Sequence, residues 1–274
     1  MIFMIRINKN DVSVNKFPDG TLLLKEKVSG TANEGTTERK AVLTWLFENN
    51  EELVTLIYLA GHLRAQGITD LSLDMPYIPN ARQDRVKTQE DVFTLKYFAQ
   101  VINCLQFTSV TVLDPHSSVS EALLDRIRVR TPEVYVQKVI ERIGGTQNLT
   151  IFYPDEGACK RYSGMFKLPY AFGIKNRDWA TGEIKGLEVS GMADCIRDRK
   201  ILIMDDICSR GGTFYFSARK LKELGAKEIY LYISHCENTI LEGELLESGL
   251  IEKVYTTNSI FTKRDERIEV FDYA

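Results

Sequence analysis

An α/β protein of two domains is predicted, each domain a mostly parallel sheet flanked by helices. Three observations predict it: a length of 274 residues, helical and strand-like periodicities that alternate along the chain, and a basic, weakly apolar stretch at Arg126–Thr131 after which the alternation resumes. One hydrophobic core seldom organises that many residues, so two domains of roughly 130 residues are expected. Their ranges are taken as 1–129 and 130–274.

In the first range Leu53, Leu56, Ile57, Ala60 and Leu63 recur at helical spacing, and Leu71-Ser72-Leu73-Asp74-Met75 alternates as a strand does. A polar loop from Asn80 to Glu90 follows. Leu95, Phe98, Ile102 and Leu105 then mark a second helix, and Val110-Thr111-Val112-Leu113 a second strand. That order is the order of parallel α/β folds. In the second range Leu149–Tyr153, Tyr170–Ile174, Ile201–Met204 and Ile229–Ile233 have the continuous apolar character of strands buried on both faces. After Gly212 the stripe Phe214, Ala218, Leu221 and Leu224 predicts a helix capped by Gly225.

The 35 basic and 38 acidic residues are interspersed and leave a net charge of −3, so no global field directs the chain to nucleic acid or to a membrane. Any anion must be held by a local site. The apolar start, Met1–Ile5, meets Arg6 before it reaches the length of a signal segment, and no apolar run approaches a membrane span. A cytoplasmic protein is expected. Cys104, Cys159, Cys195, Cys208 and Cys236 are odd in number and widely spaced, which suits reduced thiols, and with three histidines and no C-x-x-C pair a structural zinc site is not expected.

The segment most informative about chemistry runs from Ile201 to Thr213: an apolar strand, the pair Asp205-Asp206, then Ile207-Cys208-Ser209-Arg210 and the turn Gly211-Gly212-Thr213 opening a helix. Ligands of open α/β sheets bind beyond the carboxyl ends of the strands. Two carboxylates there, meeting solvent at the sheet edge, can accept hydrogen bonds from the hydroxyls of a ribose. The glycines let backbone N–H groups close on a phosphate at the helix N-terminus, with Ser209, Arg210 and Thr213 beside it. A lone Asp-Asp more often caps a helix or faces water; the full array is less common. It resembles the phosphoribosyl-binding loop of the phosphoribosyltransferase fold.

Pro76-Tyr77-Ile78-Pro79-Asn80-Ala81-Arg82-Gln83-Asp84-Arg85 separates the activities that use such a loop, because it resembles the P-Y-x-x-x-A-R-Q-D-R segment of phosphoribosyl pyrophosphate synthetases. Phe17-Pro18-Asp19-Gly20, Val112-Leu113-Asp114-Pro115-His116, Tyr153-Pro154-Asp155-Glu156-Gly157, Lys175-Asn176-Arg177 and Thr257-Asn258-Ser259-Ile260 resemble further motifs of that family, in the family's order. The resemblance implies two phosphoribosyltransferase-like domains, an N-terminal one for ATP and a C-terminal one for the sugar phosphate. It implies that Arg82, Gln83 and Arg85 hold ATP, and that Phe17 and Asp19 of a neighbouring subunit complete the adenine pocket in at least a homodimer. His116 would contact the ATP phosphates and Mg²⁺, with Asp155 a second metal-linked position. Lys175 and Arg177 would belong to a catalytic loop whose lid is the polar segment 178–186. The implied reaction is transfer of the β,γ-diphosphate of ATP to the anomeric hydroxyl of ribose 5-phosphate.

Departures from the family pattern are confined to a few places. Ser209 and Arg210 stand where the family has an aspartate and a threonine, and Thr21 stands where its flag commonly has glutamate, followed by an insertion-like segment at 29–40. The added guanidinium suits bidentate phosphate contacts and raises the alternative of a larger acceptor such as ADP-ribose. Little of the terminal structure on which larger allosteric rings are built is expected. Two other classes are weighed: a base phosphoribosyltransferase is expected to lack the Arg82–Arg85 segment and His116, and a silent regulatory subunit to have lost Lys175, Arg177 or His116.

Overall fold

The chain forms two compact units, Met1–Thr131 and Pro132–Ala274, and the computed structural model describes residues 5–26, 31–32, 39–177, 184–191 and 195–273.

The first unit contains β1 (Ile5–Ile7), β2 (Asn10–Asp11), β3 (Val14–Lys16), β4 (Leu22–Leu24), β5 (Thr31–Ala32), β6 (Arg39–Trp45), α1 (Glu51–Ala65), β7 (Asp70–Asp74), α2 (Thr94–Cys104), β8 (Val110–Leu113), α3 (Ser118–Leu123) and β9 (Ile127–Arg130). Its main sheet runs β2-β1-β6-β7-β8-β9, with β5 also on β6 and β3–β4 forming a separate hairpin. The strands β6 to β9 are parallel; β1, β2 and β5 join antiparallel. Leu43 and Trp45 of β6, Leu71 and Leu73 of β7, and Leu56, Leu59 and Leu63 of α1 are buried in one core. Glu52, fully buried in the first turn of α1, accepts hydrogen bonds at Oε2 from Trp45 Nε1 (2.9 Å) and the Glu48 amide (2.9 Å), at the helix end where the dipole favours an acidic side chain. The predicted stripe of this helix includes Ile57, which instead lies on an outward face with Val54 and Tyr58.

The second unit contains α4 (Glu133–Arg142), β10 (Leu149–Tyr153), α5 (Glu156–Tyr162), β11 (Tyr170–Arg177), β12 (Ile184–Gly191), β13 (Lys200–Cys208), α6 (Gly212–Glu223), β14 (Glu228–Cys236), β15 (Lys253–Thr257) and β16 (Ile268–Phe271). The order is β12-β11-β10-β13-β14-β15-β16, parallel except for β12. Ile201 and Ile203 of β13 pack in one core with Phe214, Ala218 and Leu221 of α6, while Leu202 and Met204 pack in another with residues of α4 and α5. Alternation of side chains along a buried strand produces these two layers. The mostly parallel α/β fold predicted from the sequence is therefore the fold observed.

Candidate active site

Arg82, Gln83, Arg85 and His116, four of the predicted site residues, lie on loops that leave the carboxyl edge of the first unit's parallel strands. The segment 76–93 leaves β7, and Asp114-Pro115-His116 leaves β8. Pro76–Pro79 packs inward and Ala81 joins the core, which leaves Arg82, Gln83 and Arg85 exposed and turns Asp84 inward at 5% exposure. Arg85 Nε donates to Asp84 Oδ1 at 2.9 Å, and Gln83 Oε1 accepts from the Thr94 hydroxyl at 2.6 Å, so two of the predicted ATP-binding side chains are already oriented. Burial alone raises the Asp84 pKa, but the Arg85 hydrogen bond and the positive field of Arg85 and His116 more than offset it and hold the carboxyl below its ordinary value.

Nothing local in the sequence marks Asp84, although it lies inside the quoted segment, because tertiary structure decides which members of that segment turn inward. A carboxylate whose pKa is lower in the folded than in the unfolded state contributes stability above the unfolded value and loses it as pH falls through the folded one. Asp84→Asn is therefore expected to be less stable than the parent near neutrality, with the gap narrowing below about pH 4. Urea midpoints of the two proteins, compared down to about pH 3, measure it; a gap independent of pH would show that the Asp84 charge is not what stabilises the loop.

In the β3–β4 hairpin Gly20 adopts φ +86°, a conformation that favours glycine, and the amide and hydroxyl of Thr21 both donate to Asp19 Oδ1, at 3.0 and 2.7 Å. Thr21, a departure from the family pattern, thus closes the turn, and its two bonds lower the Asp19 pKa. Phe17 is 47% exposed at the start of this turn. The open cleft beside the hairpin, lined by Leu22–Glu26, Tyr58, Leu59 and His62, holds none of the predicted site residues.

In the second unit β11, β10 and β13 lie side by side and parallel, so Lys175 and Arg177, Asp155, and Asp205 and Asp206 come to one sheet edge. Asp155 caps α5, accepting from the Ala158 amide at 3.0 Å. The predicted strand ending at Met204 continues to Cys208, paired with β14 as far as Cys236. That extension corrects one expectation. Asp206 does not meet solvent: it is 2% exposed, turned to the α5 side of the sheet, and ion-paired with Arg161 at 3.0 Å. Asp205 keeps part of its surface open. Burial first, then the adjacent Asp206 and Asp155 carboxylates, raise its pKa well above the ordinary range. Arg161 is a second residue the reading missed; only its place on a helix after Asp155 signalled it.

Gly211, at φ +82°, is the N-cap of α6, and Gly212 and Thr213 form its first turn. Arg210 extends outward and pairs with Glu242 at 3.2 Å. The strand predicted to end at Ile174 runs on through Arg177, pairing with β12 so that Lys175 lies opposite Leu187 and Asn176 opposite Gly186. Lys175 and Arg177 are thus strand residues rather than loop residues, and part of the expected lid, 184–186, is strand as well. Their side chains and residues 178–183 lie outside the described set. Thr257-Asn258-Ser259-Ile260 ends β15, where the Thr257 hydroxyl donates to the Ser234 carbonyl (2.7 Å) and Ser259 Oγ meets His235 Nδ1 (2.8 Å). That motif ties β14 to β15. Among the described residues no three His, Cys, Asp or Glu side chains form a ready-made metal group, and no helix is long and apolar enough to cross a membrane.

No protein-family model matches the chain. It is 27% identical over 259 residues to a ribose-phosphate pyrophosphokinase of Thermococcus kodakarensis, covering 92% of this chain and 86% of that protein. It is 28% identical over 276 residues to one of Pyrococcus abyssi, covering 97% and 90%. The crystal structure of phosphoribosylpyrophosphate synthetase from Mycobacterium smegmatis superposes with a TM-score of 0.77 at 17% identity, over 95% of this chain and 85% of that one, and shares its fold. In sequence along nearly its whole length, the chain is a homologue of the ribose-phosphate pyrophosphokinases.

Proposed function

We propose that the protein is a ribose-phosphate pyrophosphokinase that transfers the β,γ-diphosphate of ATP to the 1-hydroxyl of ribose 5-phosphate. The observation that carries this reading is that similarity to the pyrophosphokinases runs through both units, each bearing its own predicted substrate loop at the carboxyl edge of its parallel strands. The anomeric oxygen attacks the β-phosphorus, the bond from that phosphorus to the α,β-bridging oxygen breaks, AMP departs, and the hydroxyl proton passes to solvent. No covalent intermediate on the protein is needed, because positioning two polyanions and spreading the developing charge lowers the barrier.

Each group has a role in this reading. Arg82, Gln83 and Arg85 hold ATP, with Phe17 and Asp19 supplied by a neighbouring copy. His116 meets the phosphates. Asp205 and Asp206 receive the ribose hydroxyls, while Ser209 to Thr213 surround the 5-phosphate. Lys175 and Arg177 stabilise charge on the transferring group. Mg²⁺ fits the oxygen-donor chemistry: burial first, and then the neighbouring Asp206 and Asp155 carboxylates, raise the Asp205 pKa, and this ion is usually held by one or two carboxylates plus substrate phosphates rather than by a protein cage. Asp155 and, on the ATP side, His116 are the residues that would hold it; when bound it would neutralise phosphate charge. The outward apolar residues Val54, Ile57 and Tyr58 of α1 support an assembly of at least two copies, and the cytoplasmic location expected from the sequence accompanies this reading.

ADP-ribose as acceptor is not favoured. The guanidinium that suggested it is paired with Glu242, which offsets the charge added to the loop. A silent subunit is not favoured either, since Lys175, Arg177 and His116 are all retained. Incubation with ATP, Mg²⁺ and ribose 5-phosphate is expected to release AMP in step with phosphoribosyl pyrophosphate. AMP release independent of the sugar would end this reading, and faster release with ADP-ribose would reverse the choice of acceptor.

A further inference from the structure

The loop Cys208–Gly211 does not stand alone. The Glu237 amide donates to the Cys208 carbonyl at 2.8 Å, Glu242 pairs with Arg210, and Leu245 lies so close to Gly211 that a Cβ there would come within 2.9 Å of Leu245 Cδ2. Between them, Gly243 makes the tightest approach. A Cβ on Gly243 would sit 1.9 Å from the Arg210 carbonyl oxygen and 2.9 Å from its carbon, both backbone atoms that no rotamer change can move aside. The backbone of Gly243, at φ −94° and ψ 167°, is one any residue can adopt. What requires glycine there is the approach of the Arg210 peptide.

The segment that makes these contacts is itself fixed. Ile240 and Leu245 are buried, and Asn238 exchanges hydrogen bonds with Thr262, donating from Nδ2 at 2.9 Å and accepting the Thr262 amide at 3.0 Å. A side chain at 243 therefore displaces the loop sooner than the segment behind it.

We propose that Gly243 is a positioning residue for the sugar-phosphate loop, setting through the Arg210 peptide where the backbone of 209–211 stands before substrate arrives. The proposal rests on the assignment of that loop to the sugar phosphate. Displacements near 1 Å are enough to weaken catalysis severely, so Gly243→Ala is expected to raise KM for ribose 5-phosphate by about tenfold or more while KM for ATP stays within about twofold. Amide exchange at 209–213, measured without any ligand, should also quicken. Glu244→Ala, an exposed neighbour outside both predicted substrate loops, should change neither.

Unchanged exchange in Gly243→Ala, or a KM increase shared equally by both substrates, would overturn the proposal. Should Gly243→Ala fail to fold, Leu245→Val, which loosens the contact with Gly211 at the loss of one methylene from the core, is expected to show the same split at about two- to fivefold, and no split there would equally overturn it. The exchange measurement keeps the two inferences apart: a parent protein that releases no sugar-dependent AMP loses its functional reading, whereas the loop's dependence on Gly243 is still decided.

Discussion

Arg161→Ala is expected to destabilise the second unit by about 3 kcal/mol and to lower its melting temperature by about 6–12 °C. Asp206 is sealed in the sheet with its carboxylate against Arg161 at 3.0 Å, and removing the cation takes the ion pair away from a buried carboxylate. Because Arg161 retains a quarter of its side-chain exposure, water can reach the vacated space, which places the effect at the lower end for a broken buried pair. The double replacement Arg161→Met with Asp206→Leu should recover most of the stability, since an apolar pair of similar volume avoids the desolvation penalty, and should leave the protein inactive. Calorimetry of the three proteins separates the two roles. A single variant as stable as the parent would mean that the pair is not what holds Asp206.

Lys175→Ala is expected to lower kcat by about 10²–10³-fold, corresponding to about 2.7–4 kcal/mol of transition-state stabilisation, the range for removing one preorganised donor from developing charge. The residue lies near the carboxyl end of β11, at the edge that also carries Asp155 and Asp205. Its removal should act on kcat with little change in KM, because an interaction made only in the transition state leaves ground-state binding alone. Lys175→Arg should restore part of the rate. A fall below about tenfold would place the decisive cation elsewhere.

The parallel strands and the glycine turn were legible in the sequence because their signals are local: continuous apolar runs at Leu149–Tyr153 and Ile201–Met204, and paired glycines opening the α6 stripe. What escaped depended on distant partners. Strand β6, Arg39–Trp45, begins with two cations inside what reads as an insertion, and only pairing with β1 and β7 makes it a strand. The burial of Asp206 follows from β13 continuing beside β14, which an acidic pair in sequence does not announce. Asp84, Arg161 and Gly243 matter through a turn direction, an ion pair and a close approach, each created by tertiary structure. The resemblance predicted substrate loops, but it said nothing of what braces them.

Cys208 and Cys236 are register partners in adjacent strands directly before the loop proposed for the sugar phosphate, and both are buried, as are Cys159 and Cys195. Contact with Cys236 together with burial keeps the Cys208 thiol protonated far above neutral pH, and burial likewise raises Cys159. Cys104, at the end of α2, is the one exposed sulfur of the five. A maleimide dye is thus directed to the first unit alone, at a single point, and gives a fluorescent handle away from the loop at 208–213.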